Sequence, residues 1–224
     1  MPSRVIAVDG PAGSGKSTTA KAVAERLGLA HVESGALYRA VTLAGLDADA
    51  PMKGQQLVAL ARSLPIRMDL TEAGFVPEIA GVDVSREIRA ERVTAHVSAV
   101  SAIAEVRDWV NQEVRTAVAR HPHGAVLEGR DIGTVVFPDA VLKIFLSARP
   151  AERARRRLLQ DGRPSDAESL RLEEAELERR DHLDSTRDVA PLRQAADAVP
   201  VDTSDRTFDE QVDYIVSLAR KHFP

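Results

Sequence analysis

The stretch GPAGSGKST, residues 10 to 18, limits what this chain can fold into more than any other. It stands between the apolar run RVIAVDG (4–10) and a segment, Lys16 to Leu27, with Ala, Val and Leu at helical spacing. Glycine loses more backbone freedom on folding than any other residue, so such a loop is costly to order. It fits G-x-x-x-x-G-K-[ST], where glycines free backbone N–H groups to wrap a chain of phosphates and the following helix adds its positive end. On this reading Gly10, Pro11, Ala12, Gly13, Ser14, Gly15, Lys16, Ser17 and Thr18 cradle a nucleoside triphosphate. Lys16 holds the outer phosphates and the Ser17 hydroxyl ligates magnesium. The alternative is a glycine-rich turn without a ligand, against which the strand–loop–helix setting speaks.

Further along, strands and helices alternate. AHVES (30–34), GAVLEG (124–129), VLKIFL (141–146) and AVPVD (198–202) read as short buried strands of the parallel type. ALYRAVTLAGL, residues 53–64, two helices between Ile88 and His121, and the amphipathic FDEQVDYIVSLARKHF read as helices, with Gly28 suited to closing the first helix. This order predicts an α/β fold with a parallel sheet covered on both faces. IRMDL, FVPEIAG and VDVS (66–85) break the rhythm as three short strands around the turn-like TEAG, and are expected to form an insert. Residues 150–187 read as a second insert, helical and highly charged, interrupted at DGRPSD.

Composition narrows the class. The chain has 224 residues, no cysteine and a net charge of −4, which speaks against a disulfide scaffold, a cysteine metal site and general nucleic-acid binding. No charge-free apolar run has the length of a membrane span, and MPSRVIAVDG lacks the sections of a signal peptide, so a cytoplasmic location is expected. The six histidines form no metal spacing. Of thirty basic residues only five are lysine. Genomic base composition accounts for that excess of arginine as readily as phosphate binding does, and the arginine positions must decide.

A switch GTPase is excluded, because the one asparagine, Asn111, is followed by glutamine and D-x-x-G is absent. Two stretches then suggest an acceptor. Arg180, Asp184 and Arg187 in RDHLDSTR share one helical face, and Arg153, Arg156 and Arg157 cluster similarly. Surface ion pairing with the frequent glutamates is the alternative. Arginines 153, 155, 156 and 157 lie so close that they should repel unless an anion sits between them. In GAVLEGRDIGTVVFPDA a strand ends at Glu128, placed to hold magnesium through water, and Arg130 and Asp131 follow in a turn loosened by Gly133. A loop anchor for Asp131 and a structural ion pair for Arg130 remain the alternatives.

Together GPAGSGKST, ESGALYR, EGRDIGTVVFPDA and RDHLDSTRDVAPL resemble the bacterial cytidylate kinases, in order and spacing, from residue 5 to about 220. That resemblance implies a single P-loop kinase domain over 1–224 with a five-stranded parallel sheet. A monophosphate-binding insert with a small antiparallel sheet would span 53–100, and an arginine-rich helical lid 150–187. It implies ATP as donor, Mg²⁺, CMP and dCMP as acceptors, and a monomer binding neither nucleic acid nor membrane. Ser98, Arg107 and Asp131 would read cytosine, with Ser34 and Tyr38 lining the acceptor site. Arg39, Arg130 and Arg187 would hold the acceptor phosphate, Arg180 and Asp184 its ribose, and Arg153 and Arg157 would act from the lid. Glu128 departs from the aspartate usual in relatives. Without the resemblance, Ser98 reads as a small packing residue and Tyr38 as a core aromatic. A kinase for UMP, shikimate or dephospho-coenzyme A, and an ATP-driven regulatory module, remain the competing functions.

Overall fold

The computed structural model describes residues 4–71, 74–121 and 123–222. Its elements, in chain order, are β1 (Val5–Asp9), α1 (Lys16–Leu27), β2 (Ala30–Glu33), α2 (Ser34–Asp47) and α3 (Gly54–Ser63), then β3 (Arg67–Thr71), β4 (Gly74–Ile79) and β5 (Val82–Asp83). After a 3₁₀ turn at Glu87–Arg89 come α4 (Glu91–Ser101), α5 (Ala104–Ala119), β6 (Ala125–Gly129) and a π-helical turn, Ile132–Val136. The chain continues through β7 (Leu142–Ser147), α6 (Pro150–Gln160), α7 (Ala167–Thr186), β8 (Val199–Asp202) and α8 (Phe208–Ala219). Five strands form one parallel sheet in the order β2-β6-β1-β7-β8, and β3-β4-β5 form a separate antiparallel sheet. This is the P-loop kinase fold.

The residues fall into two compact units, Met1–Leu29 with Ala125–Pro224, and Ala30–Gly124. In the first, all five residues of β1 are buried, as a strand flanked on both sides requires. β1 pairs in parallel with β6, Val8 opposite Glu128 and Asp9 opposite Gly129, and on its other side with β7. The loops after β1 and β6 therefore leave the sheet side by side at its carboxyl edge, where open α/β sheets bind ligands. One core cluster joins Ile6, Val8, Val126, Ile144 and Leu146 to Val23 of α1 and to Val212 and Ile215 of α8. Burying each such side chain contributes about 1.5–3 kcal/mol, so the apolar stripe of α8 locks the last helix onto the sheet.

Local signals set the element ends. Gly28 closes α1 at φ 64°, with the Leu29 N–H reaching the Ala24 carbonyl at 2.9 Å. Asp166 caps α7 by accepting from Ser169, and Thr207 with Glu210 form a capping box at α8. Pro150 opens α6.

In the second unit α2, α3, α4 and α5 pack together beside β3-β4-β5. β3 and β4 pair from Arg67 opposite Glu78 to Thr71 opposite Gly74. The turn expected at TEAG centres on residues 72 and 73, which lie outside the described residues. The strand expected at VDVS stops at Asp83, whose carboxylate accepts the Ser85 N–H at 2.8 Å and bends the chain away. Helix α2 starts at Ser34, where a strand was expected to end. The loose turn expected around Gly133 is instead π-helical: Phe137 donates to the Ile132 carbonyl at 2.7 Å and Val136 to that of Asp131 at 3.2 Å.

Candidate active site

In the first unit the loop from Gly10 to Thr18 wraps ahead of α1. A Cβ on Gly10, at φ 153°, would lie 2.0 Å from the Leu146 carbonyl oxygen, so only glycine lets the loop leave the sheet there. Lys16 is buried, and its ammonium donates to the Pro11 carbonyl at 2.5 Å and the Ser14 hydroxyl at 3.4 Å. Burial first, and the nearby Arg130 charge second, lower its pKa to about 7, against the pull of Glu128, Asp181 and Asp9. The Ser17 hydroxyl donates to Glu128 at 2.7 Å. A hydroxyl beside a buried carboxylate is an all-oxygen pair suited to a hard cation.

The turn after β6 and the end of α7 bring four of the selected residues together. Arg130 donates to the Asp184 carboxylate at 2.9 Å. Arg187 lies 3.8 Å from Asp184 and 3.7 Å from Asp131, all three side chains being almost wholly buried. Arg187 also donates to the Ala190 carbonyl. Arg180 feels the charges of Arg130 and Asp184. Burial and then Arg130 push its guanidinium pKa down, with Arg157 adding to the effect and Asp184 opposing it. Its buried Nε has no hydrogen-bond partner among the described residues. A buried knot of guanidinium groups richer in donors than in acceptors is a place for an anion.

The arginines of α6 are differently placed from the sequence expectation. Their mutual repulsion is already relieved within the chain. Arg155 and Arg156 both hold Glu152, at 2.9 Å, and Arg157 lies 3.1 Å from Asp161. Arg156 also donates to the Thr203 hydroxyl at 2.8 Å and carbonyl at 2.7 Å. Arg153 is buried, donating to the Ala12 carbonyl at 2.9 Å and pairing with Asp181. The premise that these four lack anions does not hold, because carboxylates one helical turn away, or on α7, face them.

Five selected residues lie in the second unit. Arg107 is 1% exposed, stacks over the Tyr38 ring at 5.3 Å and donates to the Ser101 carbonyl at 2.8 Å. Tyr38 thus supports the Arg107 guanidinium through its ring face. Ser98 is on α4, its carbonyl accepting from the Ser101 hydroxyl at 3.0 Å. Arg39 donates to the Ile88 carbonyl at 3.2 Å and the Thr94 hydroxyl at 3.0 Å. Ser34, buried, opens α2.

Comparison with known proteins agrees with this organisation. The family model described as cytidylate kinase matches residues 6–221. The chain belongs to that family. It is 47% identical over 222 residues to the cytidylate kinase of Mycobacterium avium, covering 97% of this chain and 95% of that protein. It is 43% identical to that of Shouchella clausii, covering 97% and 96%. Among solved structures, TT1252 from Thermus thermophilus is similar with a TM-score of 0.50 at 17% identity, covering 98% of each chain, a likeness that speaks to the fold alone.

Two acids in this cytidylate kinase site escape sequence reasoning. Asp181 accepts the Ala12 N–H and takes Arg153, tying α7 to the loop, where Ala12, Ala154 and Leu177 also pack together. Asp9, buried at the end of β1, accepts from the Ile132 and Gly133 N–H groups. Burial raises its pKa to about 6, more than those two bonds lower it; Asp131 adds to the rise and Lys16 opposes it. Asp181 sits inside the quoted RDHLDSTR and Asp9 inside VDG, but neither motif says where a side chain turns.

Proposed function

We propose that this protein transfers the γ-phosphoryl group of ATP to CMP or dCMP, giving ADP and CDP or dCDP. The observation that carries the reading is family membership across residues 6–221, a span that includes the phosphate loop, the Arg130–Asp131 turn and the RDHLDSTR helix end. An oxygen of the acceptor phosphate forms the new bond to the γ-phosphorus. The bond from that phosphorus to the bridging oxygen breaks, and ADP leaves with its electron pair. A monoester's second pKa is about 6, so the attacking oxygen is already largely ionised and no general base is needed.

Catalysis then rests on alignment and charge. Loop N–H groups and Lys16 hold the donor phosphates. Ser17 and Glu128, whose oxygens meet at 2.7 Å, would hold Mg²⁺, which supplies charge stabilisation to the triphosphate. Arg39, Arg130 and Arg187 hold the acceptor phosphate and Arg180 and Asp184 its ribose. Arg153 and Arg157 would contribute charge from residues 150–187 once their own carboxylates yield to phosphate. We assign those residues to a lid, 53–100 to a monophosphate-binding insert, and both to one functional domain. Ser98, Arg107 and Asp131 read the base, Asp131 accepting from the C4 amine that uracil lacks. A monomer in the cytoplasm is the simplest setting for a reaction between small nucleotides.

A coupled assay of ADP formation with CMP, dCMP, UMP and AMP tests the reading. CMP and dCMP should be the preferred acceptors. Preference for UMP or AMP would overturn the substrate assignment, and ADP formation indifferent to all four would overturn the kinase.

A further inference from the structure

Asp9 bridges the two loops on which donor and acceptor binding depend. It is the last residue of β1, next to Gly10 where the phosphate loop begins, yet its carboxylate turns sideways under the loop after β6. There one oxygen accepts the Ile132 N–H at 2.8 Å and the other the Gly133 N–H at 2.7 Å. These are the first two N–H groups of the π-helical turn, donors that a helical turn cannot satisfy from within. Asp131 is the residue immediately before that turn, with φ −147° and ψ 23°, and is itself buried. Gly133 is packed so closely that an added Cβ would lie 3.1 Å from the Lys143 side chain and 3.4 Å from Asp9.

Each N–H takes its own oxygen of the one side chain, and a buried carboxylate is an expensive way to supply them. An amide at the same place would keep one acceptor oxygen and turn an NH₂ donor toward the other backbone N–H. We infer that Asp9 is a positioning residue for base discrimination: it clamps the Ile132–Gly133 backbone so that Asp131 presents its carboxylate to the acceptor base, without touching the nucleotide itself. The inference rests on the proposal that Asp131 reads cytosine. It also joins the root of the donor loop to the base-reading turn by two hydrogen bonds.

The test is a double-mutant cycle read as the ratio of kcat/KM for CMP to that for UMP, in wild type, D9N, D131N and D9N/D131N. Loss of one good base contact removes about 1–3 kcal/mol of discrimination, so D131N should narrow the ratio at least about fivefold. D9N should narrow it by a comparable factor, mainly through KM for CMP, with KM for ATP within about twofold of wild type. Adding D9N to D131N should change the ratio no further, since both act through one contact. A ratio unchanged in D9N while D131N narrows it overturns the role of Asp9 alone. A ratio unchanged in D131N overturns the base reading and the inference with it. Additive effects in the double variant also overturn the inference, because Asp9 would then act elsewhere. D9S, which keeps a small acceptor, is the second variant. If neither D9N nor D9S folds, Asp9 is a general anchor and the selective role falls.

Discussion

Asp181 accepts the backbone N–H of Ala12 at 2.9 Å, so helix α7 is fastened to the third residue of the phosphate loop. The other oxygen of the same carboxylate holds Arg153 of α6. One acid thus links both charged helices and the loop, while Ala12, Ala154 and Leu177 of the same three segments pack together.

Removing that acid leaves Arg153 buried without its counter-charge, which costs on the order of 3 kcal/mol. D181A should therefore lower stability by about that amount and loosen α6 and α7 from the loop. Residues 161–168 are exposed, and a non-specific protease should cut there faster in D181A than in wild type. In wild type the same cut should be slowest with CMP and a non-hydrolysable ATP analogue together. Cleavage rates that respond neither to the substitution nor to ligands would show that the helix pair does not move with the site.

Lys16 provides a second check, through protons. With its pKa lowered to about 7, much of it is neutral at pH 8 in the free protein. A triphosphate beside it restores the charge, so ATP binding at pH 8 should take up a proton, whereas at pH 6 Lys16 is already charged. Calorimetry in buffers of different ionisation enthalpy measures this directly. K16R, whose guanidinium never deprotonates, should abolish the uptake at pH 8. Uptake that persists in K16R would assign it to another group. K16A, lacking the charge altogether, should fold but lose phosphoryl transfer.

The pH dependence of stability isolates Asp9. Its pKa is raised from 3.8 to about 6, so between those values the folded protein binds more protons at this site than the unfolded chain. The penalty of burying the charge is present in full above pH 6 and disappears as pH falls towards 3.8. Wild type should gain about 2 kcal/mol relative to D9N between pH 7 and pH 4. Urea denaturation of both proteins across that range gives the difference, and a difference independent of pH would contradict the buried-acid assignment.

Much of this was legible beforehand because it depends on backbone and period. The loop GPAGSGKST, the alternation of strands with helices, Gly28 as a helix end and the break at DGRPSD each follow from spacing or from glycine geometry. What was not legible depends on where side chains turn. The sequence left phosphate binding and ion pairing open for the arginines of α6, and could not name their partners, because Glu152 and Asp161 lie outside the run and Asp181 is far along the chain. The π-helical turn could not be foreseen either. Asp9 satisfies its first N–H groups from a strand more than a hundred residues away in sequence.

The fate of the γ-phosphoryl group decides the central claim. ATP labelled at its γ-phosphorus, incubated with this protein, CMP and Mg²⁺, should place the label in CDP, with little in inorganic phosphate. In D131N the label should move to CDP more slowly, with UDP formation from UMP less affected. Label appearing as inorganic phosphate while CMP remains unchanged would contradict the account, and would make the protein an ATP-hydrolysing module instead of a cytidylate kinase.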